Sequence, residues 1–429
     1  MGNYFKEKFL HFIWQHQLFD KSSIQTHNQE DIHVIHPGYY NQHAGPDFLQ
    51  AKIRIGPIEW NGAVEIHYKS SDWNAHKHSD NHAFENVILH LVWEHDTEIK
   101  YQNGASIPVL SLKHKIDYKY VYQYENLIHN QSFIPCESLI NNVPEIIVKK
   151  TLERALFDRF DSKTARVLAM YNDNNNNWEE TAYQLIAATL GLKINTEAFE
   201  KLSLYLPLKY LLKHRDNIVQ LEALLFGVAG FLSENIDDEY YQKLQQEYQF
   251  LKHKYQLNKE LHISEWKFLR LRPVSFPTVR IAQFAALIHT IPNFFNLISI
   301  VHDPEKFLKK LVISQSNYWQ QHYQFGKKSN AKIGKLGNDT IYSIVINAIV
   351  PFVFAQAHEN EQYELKQNCL YLLEKVRPEN NSILQHWVKM GLQPVNAAES
   401  QAMLELYKNN CSPKRCLQCE IGNHLIRQS

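Results

Sequence analysis

The sequence carries no excess of charge of either sign, because 45 lysine and arginine residues balance 45 aspartate and glutamate residues. A protein that coats nucleic acid without sequence preference usually has a large positive excess, so the balance excludes that class. Any contact with nucleic acid must therefore depend on a local basic patch. With 44% hydrophobic and 21% charged residues, the 429-residue chain has the composition of a folded protein, and its length predicts two or three structural units.

The chain also lacks the features of exported and membrane-spanning proteins. Lys6, Glu7 and Lys8 lie where a signal peptide needs an apolar run. The most apolar stretch, residues 341–357, is interrupted by Asn347 and Pro351 and is shorter than the roughly 20 residues that a membrane span requires. Five cysteines, an odd number, argue against a framework of disulfide bonds. We therefore expect a cytoplasmic protein without membrane contact, in which this apolar stretch forms a buried helix or helix pair.

The periodicity of apolar residues divides the chain into two parts and predicts an α+β fold. Residues 5–19, which include Phe5, have helical spacing, and from Pro144 onward the period is helical again. Between them, five segments have the pattern of strands, with a hairpin turn at Gly56: residues 31–36, 48–55, 60–68, 87–93 and 107–112. The sequence thus predicts three parts: a small mixed α/β sheet module at 1–120, a linker at 121–143, and a large all-helical region at 144–429 that ends in a cysteine-bearing tail.

Acidic and imidazole side chains are concentrated in the predicted hairpin. Asp47 directly precedes the first arm, and Glu65 and His67 lie two residues apart in the second arm, so their side chains share one face. Two carboxylates that converge there would bind Mg²⁺ or Mn²⁺, which activates a water molecule for attack on phosphorus. We therefore predict Asp47, Glu65 and His67 as catalytic residues, with Asp47 and Glu65 as metal ligands and His67 orienting the water or stabilising charge. Further titratable residues lie nearby in the sequence or on the leading helix: Glu7, Asp72, His76, His78, His82 and His90.

Pro46-Asp47, followed by Glu65-Ile66-His67 on the next strand, resembles the motif order of the PD-(D/E)xK nuclease fold, which also begins with a helix. The resemblance implies a restriction-endonuclease-like module and metal-dependent cleavage of phosphodiester bonds. His67 stands where that fold usually has lysine, and a neutral imidazole is a poorer cation beside a developing phosphorane. The alternative is that Asp47 caps a turn, Glu65 faces solvent and His67 pairs with a neighbour.

Several longer motifs are distributed along most of the chain: Gly45-Pro46-Asp47-Phe48, residues 62–67, 71–76, 87–90, 222–227, 270–273 and 276–280, and the C-terminal cysteine segment. Together they resemble a bacterial family known as domain of unknown function 2851 (DUF2851). The similarity covers nearly the whole chain, and the motifs are specific in combination. The family implies the extent of the protein but no activity.

A basic segment of the helical region is the candidate contact for nucleic acid. Arg270, Arg272 and Arg280 lie close to aromatic residues, and the planar fork of an arginine side chain suits phosphate oxygens. We therefore predict these three arginines as substrate-binding residues and nucleic acid as a partner. The alternative, which the zero net charge favours, is that they pair with acidic side chains between helices.

Three cysteines near the C-terminus, Cys411, Cys416 and Cys419, have C-x₄-C-x₂-C spacing. Four thiolates can bind zinc in a closed tetrahedral site, and the same spacing occurs in iron–sulfur proteins. Cys136 is the best candidate for the fourth ligand, with His424 as the second choice. We predict a zinc ion or an iron–sulfur cluster at these cysteines, and the alternative is three reduced cysteines in a C-terminal turn. The remaining cysteine lies in a helical apolar pattern and is expected in the core.

These sites support two functions of different classes. The first is a metal-dependent nuclease or phosphodiesterase, or a degenerate relative that binds nucleic acid without cleaving it. The second is a non-catalytic interaction protein of unknown partner, built as a helical scaffold with a structural metal site. Geometry distinguishes the two, because the enzyme requires Asp47, Glu65 and His67 to converge in one concave site.

Overall fold

The apolar alternation near the N-terminus forms a six-stranded mixed sheet in the computed structural model, which describes residues 7–41, 43–291, 293–294 and 300–428. Helix α1 (Glu7–His16) precedes the sheet, whose strands are β1 (Ile32–His36), β2 (Tyr39–Tyr40), β3 (Phe48–Ile55), β4 (Ile58–Lys69), β5 (Val87–Glu94) and β6 (Val109–Ser111). β1 and β2 both pair with β3, and β3 forms an antiparallel hairpin with β4. β5 and β6 continue the sheet in parallel.

The connection from β4 to β5 is a crossover, as parallel neighbours require. It contains helix α2 (Asp72–Ala75) and two short 3₁₀ helices, His78–Asp80 and His82–Phe84. Trp73 and Phe84 of this connection pack with Val87 and Val92 of β5 in a hydrophobic cluster. Helix α1 and helix α2 both pack against β4, so two elements bring side chains to the strand that carries Glu65 and His67.

The helical period after Pro144 corresponds to a long series of helices. After α3 (Tyr118–His129), the chain forms α4 (Glu145–Asp173), α5 (Trp178–Leu190), α6 (Thr196–Tyr205), α7 (Leu208–Leu212), α8 (Ile218–Val228), α9 (Glu239–Tyr255), α10 (Pro277–Thr290), α11 (Pro304–Lys310), the ribbon of β7 (His322–Gln324) and β8 (Lys327–Lys328), α12 (Asn338–Ile344), α13 (Val350–Glu359), α14 (Tyr363–Lys375), α15 (Ser382–Lys389), α16 (Ala397–Leu406) and α17 (Glu420–Arg427). A sheet followed by many helices confirms the predicted α+β class. Phe5 of the predicted leading helix, and Lys6 of the charged N-terminus, lie outside the described residues.

Two compact units divide the chain, and each is built from separate segments of sequence. The first unit consists of Met1–Glu153, His386–Leu392 and Leu406–Ser429, and the second of Arg154–Gln385 and Gln393–Glu405. The cysteine-bearing tail, which the sequence pattern groups with the helical region, therefore lies in the unit of the sheet.

The most apolar stretch forms one continuous helix, because a π-helical turn (Val345–Ile349) joins α12 to α13. Pro351 lies in the first turn of α13, where the missing N–H is tolerated next to the shifted hydrogen-bond register of the π turn. Asn347 and Pro351 therefore do not interrupt the helix, contrary to the prediction. Asn338–Glu359 has 22 residues and is long and apolar enough to cross a membrane, but 83% of its most apolar window is buried inside the protein. It is the predicted buried helix, in a longer form.

Candidate active site

The register of the hairpin places Asp47 beside Glu65. Phe48 of β3 pairs with Val64 of β4 in the antiparallel register, so Asp47, which precedes Phe48, lies next to Glu65, which follows Val64. The Asp47 N–H donates to Glu65 Oε2 at 3.1 Å, and the Ile66 N–H donates to Asp47 Oδ2 at 3.0 Å. These reciprocal bonds hold both carboxylates in place. Glu65 is only 5% exposed, so it does not face solvent as the alternative interpretation required.

Two imidazoles lie beside the carboxylate of Glu65, and a third lies beside one of them. His67, buried on β4, has its Nε2 3.5 Å from Glu65 Oε1, and His78 has its Nε2 3.3 Å from the same oxygen. His76 Nδ1 lies 3.0 Å from His67 Nε2. The ligand atoms of His67, His76 and His78 all lie within 4.8 Å of one another, which is close enough for one metal ion to reach all three.

His90 on β5 supports this group from inside the sheet. It is paired with Glu65 in the parallel register, and its Nε2 lies 2.8 Å from His67 Nδ1. This contact fixes the ring of His67 so that its other nitrogen points toward Glu65 and His76. In metal sites, a hydrogen bond to the nitrogen that does not face the metal orients the ring of a ligating histidine.

Helix α1 adds one carboxylate and one imidazole. Glu7 Oε1 lies 4.0 Å from His67 Nε2, and His11 Nε2 lies 3.3 Å from Asp47 Oδ2. The two residues are four positions apart, so they share one face of the helix. Glu7 was among the titratable residues predicted near the site, whereas His11 was not, and the only sequence signal for His11 is its spacing of four from Glu7. His82, by contrast, is exposed and pairs with Glu85 at 2.6 Å, outside the group.

Burial dominates the electrostatics of the site. It raises the pKa of Glu7 to about 7, against the opposing charge of His11 and with added repulsion from Asp47 and Glu65. It also raises the pKa of Glu65. Burial, together with the neighbouring charges of His78, His76 and His11, lowers the pKa of His67 to about 3. A neutral His67 has a free lone pair but supplies no positive charge, so of its two predicted roles this pKa favours the orientation of a water.

The sequence profile of a family described as proteins of unknown function, DUF2851, matches residues 7–382. The chain belongs to this family. The matched range includes every residue of the site described above, but it ends before Cys411, Cys416 and Cys419. Neither a curated protein nor a solved structure matches the chain.

The three predicted arginines of the DUF2851 protein do not share one surface. Arg270 and Arg272 are exposed, just before the 3₁₀ helix Pro273–Ser275. Arg280 is buried on α10, where its guanidinium donates to Gln283 Oε1 at 2.8 Å, and burial lowers its pKa to about 10. Gln283 is an amide, whereas the alternative interpretation required the arginine to pair with an acidic side chain. In this conformation, Arg280 cannot contact a nucleic acid bound at the surface.

None of the five cysteines of the DUF2851 protein, all within the described residues, forms a disulfide bond. Cys136, Cys411 and Cys416 are buried, Cys419 is partly buried, and all four belong to the first unit. The fifth, Cys369, is buried on α14 of the second unit, as its apolar surroundings in the sequence predicted. His424, the second choice for a ligand, lies on α17.

Proposed function

We propose that the first unit of this protein is a metal-dependent phosphodiesterase of the nuclease type, with Asp47, Glu65 and His67 at its centre. The observation that carries the proposal is the convergence of three carboxylates and three imidazoles from separate elements. Glu7 comes from α1, Asp47 and Glu65 from the two hairpin strands, and the histidines from β4 and the crossover. The first unit also has a leading helix, a hairpin and then a parallel strand, in the order that the proposal requires.

The donor set fits a divalent metal ion. His67 Nε2 lies 3.0 Å from His76 Nδ1, 3.5 Å from Glu65 Oε1 and 4.0 Å from Glu7 Oε1. A neutral imidazole nitrogen donates or accepts one hydrogen bond, so it cannot satisfy all three neighbours, whereas a cation among them attracts every one. Mg²⁺ prefers oxygen ligands and water, whereas imidazole nitrogen suits transition metals. Of the two ions that the sequence analysis considered, Mn²⁺ therefore fits better.

Each residue then has a defined task. A bound divalent ion would polarise a phosphoryl oxygen and lower the pKa of the attacking water. Asp47 and Glu65 are held by backbone N–H groups before any ligand arrives, so little reorganisation is needed. The Glu7 side chain is 41% exposed and borders His67, which places it where a proton can be passed from the site to solvent.

The test is cleavage of DNA, RNA and a chromogenic phosphodiester by the purified full chain with Mn²⁺ or Mg²⁺. Glu65→Gln and Asp47→Asn should each abolish cleavage, with losses larger than the roughly 10–100-fold caused by changes outside the ligand shell. Glu59→Gln is the matched control, because Glu59 lies on the same strand but is exposed and pairs with Lys52. Circular dichroism should show that all three variants are folded.

Two results would contradict the proposal. Cleavage that survives in folded Glu65→Gln would place the chemistry elsewhere. Mn²⁺ binding, measured by calorimetry, without cleavage of any of the three substrates would favour the non-catalytic scaffold.

A further inference from the structure

The C-terminal segment that carries three cysteines is attached to the end of α3. The Lys414 side chain donates to the carbonyl oxygens of Ile128 and Asn130, at 2.8 and 2.9 Å. The Asn130 side chain in turn donates to the Pro135 carbonyl oxygen at 2.8 Å, directly before Cys136. The chain around Cys136 and the chain around Lys414 are thus joined through Asn130.

Each of the four cysteines lies at the boundary of a helical turn. Cys136 precedes the 3₁₀ helix Glu137–Asn142, and Cys419 precedes α17, which packs against that 3₁₀ helix. Cys411 ends the π-helical turn Tyr407–Cys411, and Cys416 begins the 3₁₀ helix Cys416–Gln418. A Cβ on Gly422 of α17 would lie 2.2 Å from the carbonyl oxygen of Cys416, so the two segments are in close contact.

Burial and neighbouring thiols both raise the pKa of Cys136 and of Cys411. Burial raises the pKa of Cys411, and Cys136, Cys419 and Cys416 all raise it further. Burial, with Cys419 and Cys416, likewise raises the pKa of Cys136 to about 12. The segment that carries Cys136 and the segment that carries Cys419 lie against each other, because α17 packs on the 3₁₀ helix Glu137–Asn142, although 274 residues separate Cys136 from Cys411 in the sequence.

Backbone N–H groups are directed at one of these sulfurs. The N–H groups of Ile421 and Gly422, in the first turn of α17, donate to the sulfur of Cys419. Hydrogen bonds of this type stabilise a thiolate and tune the metal centres that thiolates hold.

We propose that Cys136, Cys411, Cys416 and Cys419 ligate an iron–sulfur cluster that fastens the C-terminal segment to the first unit. The proposal is independent of the phosphodiesterase, because it uses none of the residues of the acidic site.

The spacing of the sulfurs favours a cluster over a single zinc ion. With Zn–S bonds of about 2.3 Å in a tetrahedron, each pair of sulfurs would be about 3.8 Å apart. Among the residues that the structure describes, the ligand atoms of His67, His76 and His78 all lie within 4.8 Å of one another. No three of the four cysteine sulfurs, which belong to the same described residues, lie that close together. In a cluster, the cysteines bind different irons of a sulfide-bridged unit, at most two to each iron, so no three cysteine sulfurs are as close together as the ligands of a single ion.

The experiment is an analysis of the full chain purified without oxygen or chelator. We expect a brown protein with broad visible absorbance that contains iron and acid-labile sulfide in equal amounts. Cys136→Ala should lose most of both, although it lies far from the other ligands in sequence. Cys369→Ala is the matched control, since Cys369 is also buried, and it should retain the wild-type content.

The cluster should also protect the tail. After the cluster is destroyed in air, trypsin should cut at Lys414 or Arg415 faster than in the intact protein, because terminal segments fray when they are not tied down. If Cys136→Ala does not fold, the iron and sulfide content of the wild-type protein still decides the question. Stoichiometric zinc without sulfide, a folded wild-type protein without iron, or full iron content in Cys136→Ala would each overturn the proposal.

Discussion

Glu222→Gln should remove a pH dependence from the stability of the second unit. Glu222 is fully buried on α8, and its Oε2 accepts hydrogen bonds from Tyr240 Oη at 2.8 Å and Trp319 Nε1 at 2.9 Å. Burial raises its pKa from 4.5 to about 7, although these hydrogen bonds act in the opposite direction. The folded protein therefore keeps this proton to higher pH than the unfolded chain does.

The sign and size of the effect follow from proton linkage. Between pH 4.5 and about 7, the unfolded chain releases the proton while the folded protein holds it, so the free energy of unfolding falls as pH rises. At about 1.4 kcal/mol for each pH unit, the total loss is about 3 kcal/mol, complete slightly above pH 7. The glutamine amide oxygen can accept the same two hydrogen bonds but has no charge to bury.

Urea denaturation of wild type and Glu222→Gln, followed by circular dichroism at a series of pH values, measures the difference. Relative to wild type, the variant should gain about 3 kcal/mol of unfolding free energy between about pH 4.5 and pH 8. Glu374→Gln, at an exposed position of α14, is the control and should not change the profile. Parallel profiles for wild type and Glu222→Gln would refute the reasoning.

Gly227→Ala should destabilise the protein by about 2 kcal/mol or more, because the added Cβ would overlap a ring carbon of Tyr248. Gly334→Ala is the control: its Cβ meets open space, so the unfolding free energy should change by less than about 0.5 kcal/mol. Equal denaturation midpoints for the two variants would contradict this. If nucleic acid binds at the exposed basic segment, Arg272→Ala should lower the salt slope of binding by about 1, and Arg280→Lys should leave it unchanged because Arg280 is buried. Equal salt slopes for wild type and Arg272→Ala would argue against that surface. Calorimetry should give a lower Kd for Mn²⁺ than for Mg²⁺, because imidazole nitrogen suits transition metals. His78→Ala should reduce this preference for Mn²⁺. A stronger preference for Mn²⁺ in that variant would show that His78 is not a ligand.

The strands of the sheet were predictable because the alternation of apolar residues is a short-range pattern. Period-two alternation placed the hairpin strands within a few residues of their observed bounds, and the same alternation put Glu65 and His67 on one face. The pairing of Asp47 with Glu65 did not follow from the two-residue turn, which pairs Ile55 with Ile58 and Ala51 with Gly62. A register shift between Ala51 and Phe48 brings Phe48 opposite Val64, so that Asp47 lies next to Glu65.

The rest of the site depends on irregular or long-range structure. His76 reaches His67, and His78 reaches Glu65, from a crossover of short helical turns. No periodicity specifies where such turns direct a side chain. The burial of Arg280 against an amide could not be inferred from its sequence neighbours. The return of the C-terminal segment to the sheet unit depends on contacts between residues that are hundreds of positions apart, which local patterns do not encode.

The order of the segments has a consequence for synthesis on the ribosome. The second unit is inserted within the sequence of the first. Residues 154–405, almost all of which belong to the second unit, are therefore translated before Leu406–Ser429 can complete the first unit. At 5–20 residues per second, this interval is roughly 13 to 50 s, much longer than the time in which small domains fold. During that time the nascent sheet exposes the surface that the C-terminal segment later covers, including Cys136. An arrested chain that ends near residue 400 should therefore bind chaperones more strongly than the released protein.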